Sequence, residues 1–118
     1  MQMNKIEALS KIKLALNGHA QVITPKGETY ENYVEKLKLN LLDHIIDPVK
    51  VTVVSTCADN GDFDKYKKSN VWAIAKSKFG WLLTLENENE FALAFGDDPN
   101  KIMMHGFSSP DVLAEWCS

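Results

Sequence analysis

Apolar side chains in the N-terminal part of the chain recur at the spacing of two amphipathic helices. Over residues 4–16 they return every three or four positions, which places them on one helical face. These positions are Ile6, Leu9, Ile12 and Leu16. A second stripe predicts a helix from Thr29 to about residue 46, where Pro48 prevents its continuation. The members of that stripe are Tyr30, Val34, Leu37, Leu41 and Ile45.

After Pro48 the period of the apolar residues changes from that of a helix to that of a strand. Val49, Val51 and Val53 alternate with polar residues, so residues 49–53 are predicted to form a strand. A polar segment follows, and then short apolar segments are separated by turn-forming residues. These segments are 70–76, 79–86, 90–96 and 101–105. Because such short connections favour hairpins, we expect a four-strand antiparallel meander.

The order of these elements predicts a single α+β domain over residues 1–118. Two N-terminal helices are expected to pack on a curved antiparallel sheet that ends in the four-strand meander. A short C-terminal helix follows, with Ser109 as its cap, Pro110 at its first position and Asp111 in its first turn.

The two faces of this meander are predicted to differ in side-chain size. Alternation puts Trp81, Leu83 and Leu85 on one face, and the large residues of the next strand are expected to join them. These partners are Phe91, Leu93 and Phe95. The small residues Ala92 and Ala94 then belong to the opposite face, where we expect the C-terminal helix to pack.

Composition places the chain among ordered globular proteins. It has 118 residues, of which 45% are hydrophobic, and a formal net charge of only −3. Its apolar runs are far shorter than the roughly 20 residues that cross a bilayer. The N-terminus lacks the apolar segment of a secretory signal. We therefore expect a cytoplasmic protein with no membrane association.

The basic residues and cysteines narrow the partners further. All 13 basic residues are lysine, and the chain has no arginine to grip phosphate or guanine with two parallel hydrogen bonds. Without a basic segment, nucleic-acid binding is not expected. Cys57 and Cys117 are far apart and form no C-x-x-C pair, so reduced thiols are expected.

No sequence motif for catalysis or cofactor binding is present. The glycines form neither a G-x-G-x-x-G nor a P-loop pattern, and there is no G-x-S-x-G elbow. Asp59, Asp62 and Asp64 do not fit the calcium loop of an EF-hand, since Ala58 and Lys67 occupy ligand positions. We expect no cofactor and no metal, and an enzyme is the less favoured class of protein.

Acidic residues are concentrated in the connection between two predicted strands. Glu86, Glu88 and Glu90 form the densest acidic cluster and could steer a basic protein partner. Trp72 alternates away from its apolar neighbours, and if exposed it would be an interface anchor. In size, acidity and absence of motifs the chain resembles small bacterial accessory proteins, including toxin-neutralising immunity proteins. The preferred hypothesis is a non-enzymatic protein-interaction module that also forms a homodimer.

The alternative hypothesis is a small-ligand-binding protein or enzyme with a pocket between the helices and the concave face of the sheet. Its candidate residues are His105, Tyr66 and Cys57. The meander places His105 at the same sheet end as Glu86 and Glu90, where a histidine beside carboxylates could serve acid–base chemistry or a surface hydrogen bond.

Overall fold

A computed structural model describes residues 3–17, 22–56, 62–78, 80–86 and 88–116 of the chain. The helices within these residues are α1 (Lys5–Leu16), α2 (Tyr30–Asp43), α3 (Asp62–Lys68) and α4 (Val112–Trp116). The strands are β1 (Ile45–Val51), β2 (Val53–Thr56), β3 (Val71–Ser77), β4 (Gly80–Leu85), β5 (Phe91–Phe95) and β6 (Ile102–Ser109). The predicted α+β class and the mostly antiparallel sheet are confirmed.

Side-chain caps begin the two N-terminal helices. The Asn4 side chain accepts a hydrogen bond from the backbone N–H of Glu7 at 2.8 Å, so α1 begins where the sequence predicts. Thr29 caps α2 in the same way. The predicted end of α2 is wrong, because the helix stops at Asp43 and β1 begins at Ile45.

The face that α1 buries matches the predicted one only in part. Ala8 and Ile12 are completely buried, whereas Ile6 is 75% exposed. A stripe built from the largest side chains therefore misplaces the helix by part of a turn, since a small alanine faces the sheet and a large isoleucine faces solvent.

The predicted meander is present, and the strand before it divides in two. The sheet order is β1-β3-β4-β5-β6-β2, so β3 to β6 are sequential neighbours with antiparallel pairing. Residues 49–53 do not form one strand. β1 pairs with β3 at one edge of the meander, while β2 runs parallel to β6 at the other edge. Pro48 is tolerated in β1 because an edge strand needs fewer backbone donors.

Thr52 joins the two edge strands and curls the sheet. Only this residue separates β1 from β2, and successive Cα atoms are about 3.8 Å apart, so the two edges of the meander must approach each other here. Thr52 N–H donates to Pro99 O at 2.9 Å, and Ile102 N–H donates to Thr52 O at 2.9 Å. The corner is thereby tied to the start of β6.

The curled sheet has an inner and an outer apolar cluster. The inner one contains Trp81 and Leu83, which lie directly opposite Ala94 and Ala92. The predicted division of faces is therefore wrong, because the register pairs large residues of β4 with small residues of β5 and lets the large ones fill the concave side. The outer cluster lies under α1, α2 and α4; Phe91 belongs to it, together with Val112 and Leu113 of α4.

Candidate functional site

Three glutamates occupy the connection between β4 and β5. We call Glu86, Glu88 and Glu90 the acidic rim. Glu86 and Glu90 are half-buried and Glu88 is exposed. The backbone N–H of Glu86 donates to Asn70 O at 3.1 Å, which places the rim beside the start of β3.

Each carboxylate of the rim has a polar partner. Glu86 Oε2 accepts from the Asn70 amide at 3.0 Å. Glu90 accepts from Lys65 Nζ at 2.8 Å through one oxygen and from Ser108 Oγ at 3.2 Å through the other. Lys65 also forms an ion pair with Glu88. The rim is therefore an ordered network rather than a row of free charges.

Lys65 lies on α3 and remains accessible to solvent. Its hydrogen bonds to Glu88 and Glu90 raise the pKa of Lys65 above the ordinary value for lysine, since both carboxylates favour the ammonium form. Lys65 is therefore charged at any physiological pH. It attaches α3 to the rim and neutralises part of the negative charge.

Lys11 reaches the same connection from α1. Its Nζ donates to Leu85 O at 2.9 Å and to Glu88 O at 2.8 Å, and it approaches Asn89 Oδ1 at 3.5 Å. Burial lowers the pKa of Lys11, while the nearby Glu7 carboxylate opposes this effect. Lys11 binds main-chain carbonyls, so it fixes the path of the chain and leaves the rim carboxylates to other partners.

A cleft of about 180 Å³ opens between the rim and the residues that precede β3. Its lining residues are Ser69, Asn70, Leu85, Glu86 and Glu88. Carboxylate, amide and hydroxyl groups surround the apolar Leu85, which is only 2% exposed. Such a lining suits one extended side chain with a positive end, because the carboxylates can accept its hydrogen bonds.

The condition for Trp72 as a surface anchor is not met. Its side chain is 4% exposed and belongs to the outer apolar cluster, alongside Ile12 of α1. Trp72 does point to a different face from Val71 and Ala73, as its alternation predicts, but that face is covered by the helices. Sequence alternation identified the face and could not identify what covers it.

The expected position of His105 at a sheet end is wrong. β6 continues to Ser109, so Ser108 rather than His105 lies beside Glu90. The pairing of β5 with β6 shifts between Ala92 and Ala94, and residues 105–107 all fall opposite Leu93. This bulge lengthens the strand beyond the predicted range and leaves the backbone of His105 in its interior.

Of the other two candidate pocket residues, only Tyr66 lies in the described part of the chain. Tyr66 lies on α3, is 1% exposed and packs into the inner apolar cluster. Cys57 lies outside the described residues, as does the side chain of His105. The position of Tyr66 therefore does not support the pocket hypothesis, because its ring is part of the hydrophobic core.

Comparisons with known proteins give no match to a family model, to a curated protein or to a solved structure. Among the side chains that the structure describes, no group of three or more His, Cys, Asp or Glu residues could hold a metal ion. No helix in the same residues is both long and apolar enough to cross a bilayer.

Proposed function

We propose that the protein is a non-enzymatic protein-interaction module and that the acidic rim receives a lysine or arginine side chain of its partner. The observation that carries this proposal is the cleft beside Glu86 and Glu88, whose two carboxylates border the apolar Leu85. A basic side chain can extend into this cleft and place its charge between the carboxylates.

The order of the rim supports this role. Lys11 of α1 fixes the main chain of the β4–β5 connection, and Lys65 of α3 forms ion pairs with Glu88 and Glu90. Binding therefore costs little ordering of the loop, which favours affinity at a small interface. The same lysines neutralise part of the charge of the rim, so we expect the remaining carboxylate charge to have only a moderate effect on the rate of association.

The test uses the full chain and two variants of it, in each of which two glutamates are replaced by uncharged glutamines. Each protein serves as bait in lysate from the source cells. The rim variant carries Glu86→Gln and Glu88→Gln, which keep side-chain shape and remove two charges. Once a partner is captured and purified, we expect the rim variant to associate about three- to tenfold more slowly at low salt, with a smaller difference at high salt. Surface plasmon resonance measures the rates, and native mass spectrometry reports the expected homodimer.

The matched control carries Glu31→Gln and Glu35→Gln on the exposed side of α2, and it loses the same net charge. It is expected to bind the partner as the unmodified chain does. Equal binding by the rim variant and the control would remove the acidic rim from the proposal. Equal slowing of both would reduce the role of the rim to net charge alone.

A further inference from the structure

A second cleft, of about 400 Å³, lies at the opposite end of β3 from the acidic rim. Its lining residues are Asn40, His44, Ser77, Lys78 and Trp116. They come from the end of α2, the β3–β4 turn and α4, and none of them belongs to the interaction surface proposed above. We call this space the α2–α4 cleft.

One ring nitrogen of His44 is committed to the backbone. His44 Nδ1 is 2.7 Å from Asn40 O. A carbonyl oxygen can only accept a hydrogen bond, so Nδ1 must carry the hydrogen. In the neutral ring Nε2 is then an acceptor, and it has no hydrogen-bonding partner among the residues that the structure describes. His44 thus presents a fixed acceptor to the cleft it lines.

The side chain of Asn40 is oriented by Trp116. The indole N–H of Trp116 donates to Asn40 Oδ1 at 3.0 Å, and an indole nitrogen can only donate. The oxygen of the amide is therefore identified, and its Nδ2 group remains as a donor with no partner in the described part of the chain. The contact with Trp116 thus leaves Asn40 Nδ2 as a donor, and the contact of His44 with Asn40 O leaves His44 Nε2 as an acceptor.

Trp116 also supplies a flat wall. Its ring is half-buried and lies 5.7 Å from the His44 ring, centroid to centroid, with the planes tilted by 50°. Planar groups pack well on such a surface, because an indole contributes a large apolar area at little conformational cost.

We infer that the α2–α4 cleft binds a small planar ligand whose edge carries a hydrogen-bond donor next to an acceptor, as an aromatic amide does. The ligand acceptor takes a hydrogen from Asn40 Nδ2, its donor gives one to His44 Nε2, and its ring lies against Trp116. A lactam of a heteroaromatic base has the same donor–acceptor edge, so the experiment includes both kinds of molecule.

The experiment titrates the ¹⁵N-labelled protein with benzamide and with uracil at pH 8. The indole N–H signal of Trp116, assigned from a Trp116→Phe variant, is expected to shift saturably with a dissociation constant on the order of 1 mM. Binding by only one of the two probes identifies the source of the ligand chemistry. N,N-dimethylbenzamide keeps the acceptor but lacks the donor, and its affinity is expected to be lower than that of benzamide by about fivefold or more.

The variant Asn40→Asp keeps an acceptor for Trp116 and removes the Nδ2 donor, so it is expected to weaken binding of benzamide about five- to tenfold. Asn32→Asp, on the same helix and away from the cleft, adds the same charge and is expected to leave binding unchanged. Equal binding of benzamide and its dimethyl form, or no saturation with either probe, would overturn the inference.

Discussion

Trp72 and Trp81 occupy neighbouring strands of the sheet and differ in the fate of their indole N–H. Trp81 Nε1 donates to Gly96 O at 2.8 Å, and Lys76 Nζ lies 4.3 Å from the centre of its ring. Trp72 Nε1 is buried, and no acceptor among the described residues lies within reach of it. An unpaired buried donor costs stability, because the hydrogen bond to water is lost without replacement.

The two tryptophans therefore predict different costs for the same substitution. Trp72→Phe removes an unpaired N–H as well as ring volume, while Trp81→Phe removes a formed hydrogen bond and leaves Gly96 O without its donor. We expect Trp81→Phe to lower the free energy of unfolding by about 1 kcal/mol more than Trp72→Phe. Urea denaturation of both variants measures the difference, and an equal or larger loss for Trp72→Phe contradicts it.

At the scale of elements, Lys11 connects the first helix to a connection late in the sheet. The contact joins α1 to the main chain at Leu85 and Glu88, far away in the sequence. Lys11→Met keeps the aliphatic stem and leaves two carbonyls without this donor. We expect a loss of about 1 kcal/mol in the free energy of unfolding, since Lys11 is partly exposed and water replaces some of the contact.

The matched control for Lys11 is Lys13→Met, because Lys13 is exposed on the same helix. Its effect on unfolding by urea is expected to be within about 0.5 kcal/mol. Amide hydrogen exchange at Glu86 and Glu88 is expected to rise in Lys11→Met and stay unchanged in the control. Unchanged exchange in both variants would show that the connection keeps its path without Lys11.

Lys65 predicts a pH dependence at the junction of α3 with the rim. Its pKa is raised in the folded state, so its contribution to stability is complete below the ordinary value of 10.5 and is lost as pH rises through the raised value. The difference in free energy of unfolding between the unmodified chain and Lys65→Met is therefore expected to be constant from neutral pH up to the ordinary pKa of 10.5. It is expected to shrink only above that pH. Denaturation at a series of pH values checks this, and a difference that shrinks below 10.5 contradicts it.

At the scale of the whole molecule, the Thr52 corner closes a sheet whose meander strands are joined by short connections. The meander forms from hairpins between sequence neighbours, whereas the pairing of Val53 with Ile102 joins distant parts of the chain. Local pairings form at a lower cost in chain entropy than distant ones. We therefore expect β2 to join β6 after the meander has formed.

Folding kinetics can test this order with two core substitutions. Val53→Ala, at a position 2% exposed, is expected to speed unfolding and leave the folding rate nearly unchanged. Leu83→Ala, in the middle of the meander, is expected to slow folding. Stopped-flow measurements over a range of urea concentrations give both rates. A slowing of folding by Val53→Ala comparable to that of Leu83→Ala would contradict the order.

The sequence predicts local features of this fold better than features that depend on distant contacts. The cap at Asn4 and the four meander strands follow from neighbouring residues, and both are confirmed. The division of residues 49–53 depends on which edges they meet, and no local pattern encodes that. The acidic rim was visible as a cluster, but its lysine partners come from α1 and α3, which only the folded chain brings to it.

The way in which Lys11 holds the β4–β5 connection has a consequence for how freely its sequence can change. Lys11 donates hydrogen bonds to two main-chain carbonyl oxygens, which every amino acid carries. These hydrogen bonds therefore do not depend on the side chains at positions 86 and 88. Those side chains can be exchanged over evolution, or in a designed library, while the path of the loop is kept. The same scaffold could then acquire new partners by substitution at a few surface positions.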